Sequence, residues 1–378
     1  MKIVSIVGAR PQFVKVAPVD EELTRRGHEH LIVHTGQHYD YEMSKAFFEQ
    51  LSIPEPDYNL EVGSGTHAYQ TGQMLTRLGE TLAEEAPDLV LVYGDTNSTL
   101  AGALAAVKLL IPVAHVESGY RSFDMTMPEE INRIVADRVS QLHFAPTKTA
   151  VQNLVKEGLP EETIYLTGDI MAETLLKNLE KAHASSALED LGLEPRSYIL
   201  MTLHRQENTD DPARLERIFT GLSTSPLPII FACHPRTQKR LAEFKTLEKA
   251  HYDPEKLTII KPLPYLDFIK LEMEAAFVVT DSGGVQEEAL VLGKPCVTLR
   301  YNTERVETLE AGANVLVGAE PELIEQALRR SLAIVEEYGD RHPFDLPDAW
   351  DDQVSRRIAE AIETNTIYTT RLTIPNSF

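Results

Sequence analysis

The chain is poor in cysteine and short of cations. Cys233 and Cys296 are its two cysteines in 378 residues. Each lies in an apolar run, FACHP and KPCVT. Two isolated thiols exclude a disulfide framework and a cysteine-based zinc site, so buried, reduced thiols are expected. Lys and Arg number 36 against 58 Asp and Glu, for a formal net charge of -22. That deficit argues against nucleic acid or an anionic membrane as a partner, because both require clustered Lys and Arg. An acidic protein that binds an anion must gather its few cations locally, next to the turns that hold the ligand. No apolar run approaches the roughly 20 residues that span a bilayer. Met1-Lys2 leads directly into the strand-like IVSIVGA, with no signal-peptide pattern. A soluble, cytoplasmic protein is expected. The twelve histidines form no cluster and no HExxH, so no metal is expected. The three spaced glycines of a dinucleotide fingerprint are also missing, which argues against a nicotinamide dehydrogenase.

What is present is a regular alternation. KIVSIVG, HLIVHTG, PDLVLVYGD, PVAHVES and QLHFAPT read as strands separated by amphipathic helical stretches. Such a series predicts a parallel sheet covered on both faces. The pattern resets after about residue 165 with YILMTLH, LPIIFACHP, LTIIKPL, AFVVTDSG and KPCVTLR. The expectation is an α/β protein of two Rossmann-like, doubly wound domains. The first covers 1–167, the second 168–352, and a C-terminal helix and tail, 353–378, return to the first. In such sheets ligands bind at the carboxyl ends of strands, and the chemically interesting residues fall there.

Gly8-Ala9-Arg10-Pro11-Gln12 closes the first strand and opens a helix, with Lys15 one turn along. A helix start beside Arg10 suits an anion, although a plain βα turn explains it equally well. Asp95 follows the strand ending at Tyr93 and is either a helix cap or a catalytic carboxylate. Glu117 closes an apolar strand, where a carboxylate is costly unless paired, with Arg121 or Arg133 as candidates, or functional. Pro128-Glu129-Glu130 starts a helix, and the dipole accounts for one of the two acids without catalysis. Asp95, Glu117 and Glu129 supply the acids that proton transfer between two faces of a sugar needs. Glycoside hydrolysis uses a similar pair, and the carboxylates alone do not choose. His204-Arg205 after YILMT is a candidate phosphate or leaving-group site. Thr280-Asp281-Ser282-Gly283-Gly284 ends a strand and opens a helix whose first-turn amides suit a diphosphate. Glu288 on that helix can accept hydrogen bonds from a ribose diol. The segment Pro262–Phe268 can supply a ring for a base, and Arg305 adds a cation at the same mouth.

GARPQ with Lys15, VYGDTNST, HVESGYR, MPEEINR, LTGD, LHRQEN and TDSGGVQEEA stand in an order and spacing that resemble the non-hydrolysing UDP-N-acetylglucosamine 2-epimerases. The resemblance runs from Lys2 to about Ile362. It implies a GT-B-like fold with the active site in the interdomain cleft, usually a homodimer, and a UDP-sugar substrate epimerised without a cofactor. It further implies that Asp95, Glu117, Glu129, Lys15 and His204 are catalytic. Ser282, Gly283, Gly284 and Glu288 would hold diphosphate and ribose, Phe268 would lie near uracil, and Arg10 and His204 would meet the phosphates. Gln12 stands where the family usually has Glu. Gln37-His38-Tyr39-Asp40-Tyr41 resembles an archaeal and capsule-pathway branch.

Overall fold

The computed structural model describes residues 1–37, 53, 55–339 and 341–365, and of Arg10 it describes the backbone alone. The segment Tyr39-Asp40-Tyr41 and the polar tail beyond 365 therefore lie outside the described residues. The chain folds as two compact units, Met1–Lys177 with the return from Pro347 onward, and Asn178–Leu346.

The first unit alternates strand and helix: β1 (Lys2–Val7), α1 (Arg10–Arg25), β2 (Glu29–His34), β3 (Tyr58–Asn59), α2 (His67–Glu85), β4 (Leu89–Tyr93), α3 (Asn97–Lys108), β5 (Val113–Val116), α4 (Pro128–Val139), β6 (Leu142–Ala145), α5 (Lys148–Lys156), β7 (Ile164–Leu166) and α6 (Ile170–His183). The strands are parallel, in the order β3-β2-β1-β4-β5-β6-β7. Val4, Ile6, Val90, Val92 and Val113 pack against Leu78 and Leu82 to form a dry core. β-branched residues make these strands because helices cover both faces and leave no polar side.

The second unit repeats the plan with β8 (Ile199–Met201), α7 (Pro212–Leu222), β9 (Ile229–Ala232), α8 (Pro235–Phe244), β10 (Leu257–Ile260), α9 (Tyr265–Glu274), β11 (Phe277–Thr280), α10 (Gly283–Val291), β12 (Cys296–Thr298), β13 (Asn314–Leu316) and α11 (Pro321–Tyr338). Its strand order is β10-β9-β8-β11-β12-β13, again parallel. Phe219, Phe231, Phe277 and Leu328 anchor its core. Cys233 and Cys296 are free and buried, and burial pushes both thiols up to about 12.

The last helix, α12 (Val354–Thr364), belongs to the first unit. The first unit takes in the chain to Lys177 and from Pro347 onward. Side-chain bonds tie α6 and the returning segment to the rest of that unit. In α6, Thr174 Oγ1 donates to the Val14 carbonyl at 3.0 Å, and buried Glu173 accepts from Ser355 Oγ at 2.6 Å. Trp350 Nε1 donates to the Pro146 carbonyl at 3.1 Å. None of these contacts has a periodic signature in sequence. No helix among the described residues is long and apolar enough to cross a membrane.

In both sheets the strand order reverses direction once, between β1 and β4 and between β8 and β11. These are the topological switch points, where adjacent βα turns diverge and leave a crevice.

The second unit also buries an acid. Glu272 in α9 is fully buried, and neither carboxyl oxygen has a hydrogen-bond partner among the described residues. Burial pushes its pKa well above 4.5, the Glu288 carboxylate adds to the push, and Lys294 opposes it. A raised folded-state value means that the unfolded chain loses the proton first. Stability therefore falls as pH climbs above 4.5, by about 1.4 kcal/mol per unit until the folded state ionises. Glu272→Gln cannot ionise, so it should melt above the wild type at neutral pH, with the gain shrinking to nothing as the buffer approaches pH 4.5. Equal melting points at neutral pH would show that the buried acid carries no cost.

Candidate active site

The first switch point holds the acids. Gly8 sits where the chain leaves β1, and a Cβ there would lie 2.1 Å from both Ser98 Oγ and Thr35 Oγ1. Only glycine permits that approach. Gln12 then ties the turn together with both ends of its amide. Its Oε1 accepts from the Gly8 and Ala9 amides at 2.8 and 3.0 Å. Its Nε2 donates to the Tyr93 carbonyl at 2.7 Å, at the end of β4. Arg10 is the first residue of α1, and its side chain lies outside the described residues.

Lys15, on α1, is buried and forms an ion pair with Glu117, which is buried too. Glu117 has φ 68°, in the left-handed region, a conformation that costs a non-glycine residue about 1 kcal/mol or more. Its backbone N–H and that of Ser118 both donate to the Phe144 carbonyl, at 3.1 and 3.2 Å. A Cβ on Gly94 would lie 3.0 Å from Glu117 Oε2 and 3.4 Å from Lys15 Nζ. The β4 turn thus closes over the pair.

Arg121 and Arg133, the cations that sequence proximity suggests for Glu117, are engaged elsewhere. Arg133 reaches Asp95 Oδ2 at 2.5 Å and Glu130 Oε2 at 2.7 Å. Arg121 pairs with Asp137 and Glu157, both at 2.7 Å. The structure also separates Glu129 from Glu130. Glu130 is buried and accepts from the Ser122 amide, the Ser122 hydroxyl and the Phe123 amide at 2.9, 3.0 and 2.9 Å. It is a structural acid that orders the loop before α4. Glu129, half-buried in the first turn of α4, makes no hydrogen bond or ion pair among the described residues.

Beneath these groups lies a buried lattice that sequence reasoning missed. Asp137 Oδ1 accepts from His115 Nδ1 at 2.6 Å and from Ser118 Oγ at 2.5 Å. His115 Nε2 bonds the Gly94 carbonyl at 2.7 Å. Burial raises the Asp137 pKa, but His115, Arg121 and Ser118 outweigh it and hold the carboxyl below its ordinary value. The signal was legible: Glu130, Arg133 and Asp137 fall at i, i+3 and i+7 of α4, so one charged stripe faces inward.

The second switch point opens on a helix start. Ser282 is the N-cap of α10, yet its side chain makes no cap hydrogen bond. The first-turn amides, which have no partner within the helix, are thus not capped by it. A Cβ added to Gly284 meets nothing within 4 Å, so that glycine borders open space. Gly283 differs, because a Cβ there would lie 2.8 Å from Glu304 Oε1. Phe268 is partly buried against Val285 and Ala289, which brings its ring to the same helix as Glu288. Arg305 is buried and 2.5 Å from Glu287. His204 Nδ1 lies 3.1 Å from Asp281 Oδ1 across the switch point. Desolvation pulls the His204 pKa down, but the Asp281 carboxylate outweighs it and raises the value above 6.5, although the side chain is half exposed. Asp281 in turn sits at about 2, because His204 and the Arg205 and Asn208 donors outweigh its burial.

Acids gathered at one switch point and a glycine-opened helix start at the other fit an enzyme that acts on a nucleotide-activated substrate. A family model for UDP-N-acetylglucosamine 2-epimerase matches residues 21–363. A UDP-N-acetylglucosamine 2-epimerase homolog of Methanococcus maripaludis is 53% identical over 86% of this chain and 90% of its own length. The UDP-2,3-diacetamido-2,3-dideoxy-D-glucuronate 2-epimerase of Pseudomonas aeruginosa is 47% identical over 88% and 92%. The crystal structure of Methanocaldococcus jannaschii UDP-GlcNAc 2-epimerase in complex with UDP-GlcNAc and UDP superposes with a TM-score of 0.88 at 44% identity, covering 97% of this chain and all of the other. The chain belongs to the UDP-N-acetylglucosamine 2-epimerase family.

Two substitutions test the geometry. Lys15→Met removes the ammonium beside the buried Glu117 carboxylate and should cost about 3–5 kcal/mol of stability. The double variant Lys15→Met/Glu117→Gln should recover most of that in a denaturant melt. Gly284→Ala should leave the melting point unchanged or slightly raised, since the site has room and alanine favours helix. The same change should weaken UDP binding by tenfold or more, roughly the loss of one or two hydrogen bonds to a charged group. Undiminished calorimetric UDP affinity would remove this helix start from the binding site.

Proposed function

We propose that this enzyme interconverts UDP-N-acetylglucosamine and UDP-N-acetylmannosamine by inverting C2 of the sugar. The observation that carries the reading is the division of labour between the switch points: paired carboxylates at the first, an uncapped helix start with His204 at the second. The M. jannaschii structure that contains UDP-GlcNAc and UDP supports the substrate class.

The C2–H bond of a pyranose is weakly acidic. It becomes breakable when the electrons it releases have somewhere to go. A carboxylate takes the C2 proton, the C1–C2 double bond forms, and the C1–O bond breaks with its electron pair leaving on UDP. The intermediate is 2-acetamidoglucal. In the return step a UDP oxygen adds to C1 while a carboxylic acid delivers a proton to the opposite face of C2. Asp95, Glu117 and Glu129 share this acid–base work. Lys15 and Arg133 hold Glu117 and Asp95 in place. His204, Arg10 and the amides that follow Ser282 stabilise the departing diphosphate. Glu288 takes the ribose hydroxyls, and Phe268 lies near uracil. A cytoplasmic homodimer completes the reading, and its two free thiols suit a reducing compartment.

The P. aeruginosa relative favours a second reading for the sugar alone, because a UDP-diacetamido-uronate differs away from C2 and needs the same chemistry. Incubation of each UDP-sugar in D2O, followed by proton NMR, decides. The expected result is deuterium at C2 of the product with UDP still attached. Product without C2 exchange would sink the elimination route, and free sugar plus UDP would signal hydrolysis. Asp95→Asn should bind UDP normally and lose about 100-fold or more in exchange rate.

A further inference from the structure

His204 ends up with one ring nitrogen spent and one offered, and the residue that decides which is which is Asp281. Asp281 is fully buried at the end of β11, and His204 follows the neighbouring strand β8. One carboxylate there serves several donors. Oδ1 faces His204 Nδ1 at 3.1 Å. Both oxygens lie 3.1 Å from the His204 backbone N. Oδ2 also accepts from the Arg205 amide at 2.9 Å and from Asn208 Nδ2 at 3.0 Å. Asn208 is itself fixed, donating to the Leu299 carbonyl at 3.0 Å and accepting from Arg214 Nε at 2.7 Å.

The ring chemistry follows from the partners. A carboxylate only accepts, so Nδ1 carries a proton. In the neutral ring that leaves Nε2 as a lone pair, which repels a phosphate oxygen. In the imidazolium Nε2 donates as well. His204 Nε2 has no hydrogen-bond partner among the described residues, and the side chain is 52% exposed. The first unit contains the contrasting case. His115 also faces an aspartate, Asp137, at 2.6 Å, but its Nε2 is consumed by the Gly94 carbonyl. One histidine–aspartate pair is closed on itself; the other keeps a nitrogen for a ligand.

We propose that Asp281 is a positioning residue that holds His204 as a donor through both ring nitrogens, with Nε2–H presented to the diphosphate of the nucleotide sugar. This deepens the function proposed above and rests on its assignment of His204 to the phosphates. The charges around the ring agree. Arg205 and Arg300 oppose a positive His204, but Glu304 lies 2.7 Å from Arg300 and 3.9 Å from Arg205. Asp281 is left as the dominant partner, and the ring titrates above 6.5.

The experiment pairs two readouts on the full chain. In nitrogen-15 histidine NMR without ligand, the His204 ring should titrate above 6.5 and fall to or below that value in Asp281→Asn. In calorimetry with UDP, wild-type affinity should decline as pH passes the His204 titration, and Asp281→Asn should bind about tenfold or more weaker at neutral pH, the loss of a charge-assisted hydrogen bond. Asn208→Ala loosens the turn but leaves the ring pair, so it should keep the His204 titration. If it shifts that titration as far as Asp281→Asn does, the turn is responsible and the inference fails. A neutral Nδ1–H ring in the wild type at neutral pH overturns it directly, whether or not Asp281→Asn folds. C2 exchange in D2O would still proceed in that event, so failure of this inference is distinguishable from failure of the epimerase reading.

Discussion

The ion pair between Lys15 and Glu117 is the interaction on which the first switch point depends. A carboxylate at the end of a buried parallel strand has no water to solvate it, and Glu117 also holds a left-handed backbone. Both features are unfavourable alone. The ammonium of Lys15 offsets the first, and the two amide bonds to Phe144 hold the second in place. Lys15 sits on α1, which follows β1 through the turn where Gly8 lets the chain pass against Ser98 and Thr35. Strain at one residue is thus sustained by packing at three others, a pattern expected where a site must be rigid before the substrate arrives.

The two switch points solve one mechanical problem with different chemistry. In each, two neighbouring strands end side by side and their turns diverge, so something must hold the turns in register. In the first unit the neutral amide of Gln12 spans the gap, accepting from the β1 turn and donating to the end of β4. In the second unit the Asp281 carboxylate spans it, accepting from the β8 turn alone. The choice suits the neighbours. Beside Glu117 and Asp95 another negative charge would add repulsion; Asp281 instead faces the His204 ring at 3.1 Å.

Buried charge runs through the whole design. Glu130, Arg133 and Asp137 on α4, and Glu287, Arg300, Glu304 and Arg305 in the second unit, are all nearly inaccessible. Apolar replacements of such pairs are often more stable. Their retention beside the strand ends is consistent with orientation as their role: each fixes the direction of a loop or of a functional side chain that hydrophobic contact would leave free to rotate.

The alternation of apolar runs and amphipathic stretches determined the fold class and both parallel sheets, since periodicity reports which side of an element is dry. The ordered motifs determined the family. What the chain could not display was partnership. Asp95 and Glu117 look alike in sequence, each an acid after an apolar strand, yet only the packed sheet assigns Arg133 to one and Lys15 to the other. Glu129 and Glu130 are adjacent and identical, and only the rotation of α4 makes the second structural and leaves the first open. The bonds that tie α6 and the returning segment into the first unit likewise join residues far apart in the chain. Local pattern carries burial; pairing depends on distances that exist only once the sheets have formed, and the acids at the β5 and α4 strand and helix ends acquire their separate roles at that step.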